Sequence, residues 1–343
     1  MKKIKPGYIL PSSAYTINRQ QIIYYDFTTD KKPEIGDVVY GKVVHLGQHS
    51  QLENKSGRIH DINNGSRGIF VFGNRYAPDY YEGFVSEILK TEVDLMARSG
   101  VVGDVVIKNA SMKDPTIIRI LGYVYDRNEN LINTRNFSLI KPNQIIKKPN
   151  RSKLILVVGT SMNSGKSASA IAACWALSTM GYDVRASKIT GTASLKDILK
   201  MQDGGAKHIS DFTYSGFPST YMLEENDLLN IFNNSDLKYA NNPNNYWVVE
   251  IADGILQRET AILLKSLDVR NRIHKLIFAA HDAFGAIGGV EILKNKFNLI
   301  PDAISGICSG SPLALREMKA YSDISTFNNM NFDLKKLSEI LID

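Results

Sequence analysis

The chain has 343 residues and a mass of 38.2 kDa, with 43% hydrophobic and 22% charged residues, proportions that exclude a disordered or fibrous protein. No run approaches the roughly 18 to 20 apolar residues that cross a bilayer. The start Met1-Lys2-Lys3-Ile4-Lys5 leads into Pro6-Gly7 and not into an apolar leader, so a cytoplasmic location with no membrane partner is expected. Cys174 and Cys308 are the two cysteines, too few for a disulfide framework or a cysteine metal cluster. The net charge of +6 is uneven: residues 1–152 carry 22 Lys and Arg against 15 Asp and Glu, and residues 153–343 carry 19 against 20. The basic excess of the first part makes nucleic acid a secondary partner expectation.

In chain order, the first 140 residues hold short β-prone runs at Ile22–Tyr25, Val38–Val44, Gly68–Phe72, Asp104–Ile107 and Ile117–Val124, separated by turn residues. That texture predicts a small antiparallel sheet or barrel. Residues 141–152, with two prolines and several basic residues, read as a linker. From residue 153 to 343 the texture changes. Apolar runs at Leu154–Val158, Tyr246–Ile251, Lys275–Ala280 and Ala303–Ile307 alternate with helical patterns at 165–180, 257–266, 284–295 and 313–320. The expected fold is therefore α/β, a mostly parallel sheet with helices on both faces, preceded by a smaller β-rich domain.

After the run Leu154–Val158 comes Gly159-Thr160-Ser161-Met162-Asn163-Ser164-Gly165-Lys166-Ser167, and Ala168 then opens a helical pattern. Strand, glycine-bounded loop, Gly-Lys-Ser and helix stand in the order of a P-loop. Gly165 lets backbone N–H groups approach phosphate oxygens, Lys166 reaches the outer phosphates, and Ser167 offers its hydroxyl to Mg²⁺ at the helix start. Gly159, Thr160, Asn163, Ser164, Gly165, Lys166, Ser167 and Ala168 are the expected nucleotide-binding stretch.

The spacing is Gly-x5-Gly-Lys-Ser beginning Gly-Thr, one residue longer than the common loop. It resembles dethiobiotin synthetase and the cobyric and cobyrinic acid amidating synthases, members of the SIMIBI class of P-loop proteins. The resemblance spans roughly residues 153–325. It places Lys188, in Arg185-Ala186-Ser187-Lys188-Ile189-Thr190-Gly191, on the family's second active-site lysine, and Glu250, ending Trp247-Val248-Val249-Glu250, on the glutamate that completes the metal site. It also implies a downstream metal aspartate, for which Asp203 is preferred and Asp197 and Asp211 are the other choices. Two family glycines are replaced here by Ile251 and Asp253, which makes Asp253 a rival metal ligand or a general base. Ala303–Pro312 resembles the strand and loop that recognise the nucleotide base; the family has an asparagine there that reads adenine, and this sequence has Ser and Gly instead. ATP is thus the expected nucleotide, with GTP open.

Dethiobiotin synthetase has no domain corresponding to residues 1–140. Within them, Arg75 among Tyr76, Tyr80 and Tyr81 suits a planar or anionic ligand or a tyrosine-packed loop. The aromatic stretch Asp211–Tyr221 reads either as a substrate or partner loop or as a self-packed surface loop.

The leading expectation is a Mg²⁺- and ATP-dependent enzyme that activates or ligates a small carboxylate- or amine-bearing metabolite, with Lys166, Lys188 and Asp253 as catalytic residues. Dethiobiotin synthesis itself is not expected, given the changed glycines and the added domain. The alternative is a nucleotide-dependent switch or assembly ATPase acting on a protein or nucleic-acid partner. Either suits a homodimer, since SIMIBI proteins commonly pair across the nucleotide.

Overall fold

A computed structural model describes residues 1–28, 30–141 and 145–342. The chain divides into two compact units. The first comprises residues 1–140 together with 191–196 and 212–222, and the second comprises 141–190, 197–211 and 223–343.

The second unit is built on seven strands in the spatial order His208–Asp211, Asp183–Lys188, Asn245–Glu250, Lys153–Gly159, Ile273–Ala279, Ala303–Ser305 and Ser325–Thr326. Every neighbouring pair is parallel. Such strands are covered on both faces, which is why Leu154 to Val158 and Tyr246 to Val249 read as unbroken apolar runs and are all buried. One face packs Ile155, Val157, Ala186 and Val248 against the helices Lys166–Thr179 and Leu334–Ile342. On the other, Trp247 meets Phe232 of the helix Glu225–Tyr239 with ring centroids 5.5 Å apart. Each fully buried Ile, Leu or Val contributes roughly 1.5–3 kcal/mol.

The helix Lys166–Thr179 carries alanines at 168, 170, 172, 173 and 176, residues that cost least to order in a helix and allow close approach to the sheet. Its counterpart, Ala283–Phe297, is capped by Asp282, which accepts a hydrogen bond from the Gly285 N–H at 2.7 Å. It ends at Asn298, held at φ +52°. Parallel pairing throughout places the carboxyl ends of the Lys153–Gly159, Asp183–Lys188 and Asn245–Glu250 strands side by side, the edge at which open α/β sheets bind ligands.

In the first unit, Val38–His45, Arg67–Phe72, Val101–Lys108, Glu92–Leu95 and Thr116–Tyr125 pair in a closed ring. The β-rich domain is therefore a five-stranded barrel. Val39, Phe70, Leu95, Val102 and Ile118 fill its core. The ring is not wholly antiparallel: Arg67–Phe72 runs parallel to Val101–Lys108. Glu92–Leu95, which closes it, was not among the runs expected from sequence.

Segments 191–196 and 212–222 fold with this unit because their polar groups are satisfied there. Thr192 bridges Ser219, the Gly191 N–H donates to Thr220 Oγ1 at 2.9 Å, and the Leu195 N–H donates to the buried Glu53 carboxylate at 2.9 Å. Tyr214 stacks on Tyr15 with centroids 4.6 Å apart, and Thr134 donates its hydroxyl to the Gly216 carbonyl at 2.6 Å. The aromatic stretch 211–221 is thus largely packed as part of the first unit. Of the expected linker, residues 142–144 lie outside the described residues. Lys148 N–H bonds Asn241 at 2.9 Å, Ser152 N–H bonds the Ala240 carbonyl at 2.8 Å, and Arg151 pairs with Asp236, so this stretch is tied to the second unit.

Candidate functional site

The Gly-Lys-Ser loop follows from backbone constraints. A Cβ on Gly159 would run into the Ser164 hydroxyl and the Ala279 carbonyl, so the strand can end this close to its neighbour only with glycine. The Thr160 N–H bonds the Ala279 carbonyl at 2.9 Å and the Ile307 N–H bonds the Ser164 carbonyl at 3.1 Å, which fixes both limbs. Asn163 (φ +59°) and Gly165 (φ +98°) adopt left-handed backbone, the kind of turn whose N–H groups form an anion-binding concavity. Ser169 N–H bonds the Gly165 carbonyl at 3.0 Å, with Ala168 in the same first helical turn. The hydroxyls of Thr160 and Ser164 are buried and have no hydrogen-bond partner among the described residues.

Lys166 is buried and donates to the Ser161 carbonyl at 2.6 Å. Burial pulls its pKa below the ordinary lysine value, opposed by the charges of Glu250 and Asp253. Ser167 Oγ donates to Glu250 Oε1 at 3.1 Å. Lys188 pairs with Asp197 and lies 3.7 Å from Glu250 Oε1. Burial would lower the Lys188 pKa, but the carboxylates of Asp197 and Glu250 outweigh it and the lysine is held firmly protonated. The cation sits closer to Asp197, so Glu250, 2% exposed, is undercompensated. Burial pushes its carboxyl above the usual range, with Lys188 and Lys166 opposing, and its Oε2 has no hydrogen-bond partner among the described residues.

Asp253 adds its charge to the field at both lysines. The next residue, Gly254, leaves no room for a Cβ against the Thr160–Ser161 backbone, which sets this segment directly on the loop. Asp211 is buried at the end of its strand and is the register partner of Lys188.

Asp203, the preferred metal aspartate, is not brought to the loop. It is the exposed last residue of the helix Leu195–Asp203. Gly204 and Gly205 pack against Ile171 and Ser178, so those glycines serve packing on the later turns of the P-loop helix and not ligand approach. Of the three choices, Asp197 touches Lys188. Arg258 pairs with Glu259 at 2.7 Å and donates to the Leu223 carbonyl at 2.9 Å, a local role at the start of its own helix.

Sequence reasoning missed Asn329. It is buried 160 or more residues away along the chain and donates to both the Gly165 carbonyl and Ser169 Oγ, each at 3.1 Å. One asparagine among three in Phe327-Asn328-Asn329-Met330-Asn331 carries no signal of such a contact. The region expected to read the base also braces the loop: Gly306 (φ +103°) packs against the Ala280 and Ser164 backbones, and the Cys308 N–H bonds the Ala280 carbonyl at 3.2 Å. Ser309 spends its hydroxyl on the Gly306 carbonyl at 2.7 Å.

Among the described residues no group of three or more His, Cys, Asp or Glu side chains converges as a metal cage. Mg²⁺ does not need one, because it retains waters and is held through one or two carboxylates plus phosphate oxygens. The Ser167 hydroxyl beside Glu250, whose Oε2 is buried and unsatisfied, is an all-oxygen set that fits it.

In the first unit Arg75 is buried. Its guanidinium lies 5.2 Å from the Tyr80 ring centroid and donates to His49 Nε2 at 3.0 Å. Burial, with the nearby Arg75 charge, lowers the His49 pKa to about 4.

No protein-family model and no curated protein matches the sequence. Among solved structures, the chain is similar to the signal recognition particle receptor FtsY of Elizabethkingia anophelis in complex with GDP, at 8% identity and a TM-score of 0.38, covering 60% of this chain and 69% of that one. A second structure of that receptor gives 11% identity and a TM-score of 0.35 over 62% and 75% of the chains. Chloroplast FtsY of Physcomitrella patens gives 10% and 0.35 over 60% and 70%. Likenesses this slight leave the function of the chain to its own residues.

Proposed function

We propose that this protein is a Mg²⁺-dependent P-loop nucleoside triphosphatase of the switch type, in which the nucleotide held at the Gly159–Ser167 loop sets the conformation of the segments that leave its strands. The observation that supports this is chain routing. Past the Lys188 strand the chain leaves the second unit at Thr190, and past Asp211 it leaves it again, so two connections from the site's edge of the sheet fold with the barrel unit.

In this reading the loop amides and Lys166 hold the phosphates of ATP, or of GTP. Ser167 and Glu250 hold Mg²⁺, which when bound neutralises charge on the phosphate oxygens. Lys188, fixed by Asp197, places a second cation near the transferred group. Asp253, whose charge reaches both lysines, is the group proposed to accept a proton from an attacking water or acceptor hydroxyl.

A second reading is the metabolite ligase, favoured by Lys188 itself. A buried second lysine beside a P-loop suits an anionic acceptor as well as a phosphate. The deciding experiment is Mg²⁺-dependent hydrolysis of ATP and GTP by the purified chain, alone and with a low-molecular-weight metabolite pool, while its oligomeric state is followed with and without nucleotide. Slow turnover indifferent to the pool, with nucleotide-dependent pairing of two copies, supports the switch. Stimulation by the pool overturns it in favour of the ligase.

A further inference from the structure

A cavity lies away from the P-loop, at the open edge of the parallel sheet. Its volume is about 450 Å³, within the size range of small-molecule sites. It is walled by the helix Pro312–Lys319 and by the terminal strand Ser325–Thr326, which pairs only with Ala303–Ser305 among the described strands. Lys336, of the helix Leu334–Ile342, adds a further wall.

The lining is cationic. Arg316 and Lys319 stand three residues apart on one helix and so share a face, and Lys336 joins them; Asp323 is the single acid in the lining. None of the three cations forms an ion pair among the described residues. This contrasts with Arg151 and Arg272 of the same unit, which share Asp236. Ser325 and Thr326 of the terminal strand also line the cavity. A guanidinium fork, two ammonium groups and hydroxyls around a cavity of this size are the donor set of a phosphate-bearing ligand.

We propose that this cavity is a binding site for a phosphorylated small molecule, distinct from the nucleotide site. The strand that walls it runs within three residues to Asn329, which holds the Gly165 carbonyl. The site itself does not depend on the function proposed for the P-loop.

The test titrates pyrophosphate into the full chain by calorimetry, for the wild type, for Arg316→Ala with Lys319→Ala, for Lys336→Ala and for Lys166→Ala. Two saturable sites are expected in the wild type. The Arg316 and Lys319 double variant, altered at exposed positions, loses the cavity site and keeps the P-loop site, and Lys336→Ala weakens the cavity site at least tenfold. Lys166→Ala loses the other. If Lys166→Ala changes nothing while the double variant still removes a site, the cavity proposal stands and the P-loop reading fails. Pyrophosphate binding unaltered by the double variant and by Lys336→Ala, with thermal unfolding unchanged, overturns the cavity proposal.

Discussion

Two buried carboxylates, one in each unit, are treated in opposite ways. Asp37, in the barrel unit, has both oxygens satisfied: it accepts from Asn133 Nδ2 at 3.0 Å, from the Glu34 N–H at 2.9 Å and from Lys31 at 2.9 Å. Glu250, in the P-loop unit, accepts from Ser167 and shares a lysine already engaged by Asp197, and one of its oxygens has no partner among the described residues. A buried polar group costs free energy unless it is paired. The first arrangement stabilises the chain that contains it, whereas the second leaves a carboxylate oxygen open among the described residues, where the proposed Mg²⁺ would bind. Thr160 and Ser164, with their buried unpartnered hydroxyls, follow Glu250 and not Asp37.

Substitution separates the two cases. Glu250→Gln is expected to keep the fold and nucleotide affinity but to lower Mg²⁺-dependent turnover by about 10²–10³-fold, the usual loss for one electrostatic group at a reacting centre. Steady-state hydrolysis measures it, and unchanged turnover would move the metal role to Asp253. Asp37→Ala should do the reverse, destabilising the chain by about 3–5 kcal/mol because Lys31 and Asn133 lose their partner. Denaturant unfolding measures that loss, and turnover per folded molecule should stay unchanged.

A weaker contrast comes from pH. His49 is held neutral in the fold with a pKa of about 4, below its ordinary 6.5, so the unfolded chain binds the extra proton first as pH falls. Stability contributed by this site is complete above pH 6.5 and falls between 6.5 and 4, by about 3 kcal/mol at most. His49→Gln should flatten that part of the stability profile, and an unchanged slope would show that burial does not hold the ring neutral. Smallest is Asn329→Ala, which removes two hydrogen bonds behind the loop and should weaken nucleotide binding about tenfold, roughly 1.4 kcal/mol, with little effect on melting.

What could be read from sequence was whatever a contiguous stretch dictates. Gly159 to Ser167 announces its loop because glycine, lysine and serine do their work within nine residues, and the runs around Ile155 and Val248 announce buried parallel strands. Partners chosen by folding were not legible. Asp203 has the glycines expected beside a ligand, yet those glycines face Ile171 and Ser178, and Asp197 faces Lys188. Glu92–Leu95 alternates acid and apolar residues over only four positions, too short to stand out, although it closes the barrel. Nor does local composition mark 191–196 and 212–222 as members of the first unit, since what holds them there is Glu53, Thr134 and Tyr15 far along the chain.

The central claim is that the Gly159–Ser167 loop holds a nucleoside triphosphate through Lys166. It is tested most directly by calorimetric titration of ATP and GTP, with Mg²⁺, into the wild type and Lys166→Ala. One nucleotide bound per chain, weakened at least a hundredfold in a variant that still unfolds cooperatively, is the predicted result. Equal affinity in the two proteins, or no binding of either nucleotide by the folded wild type, would contradict it.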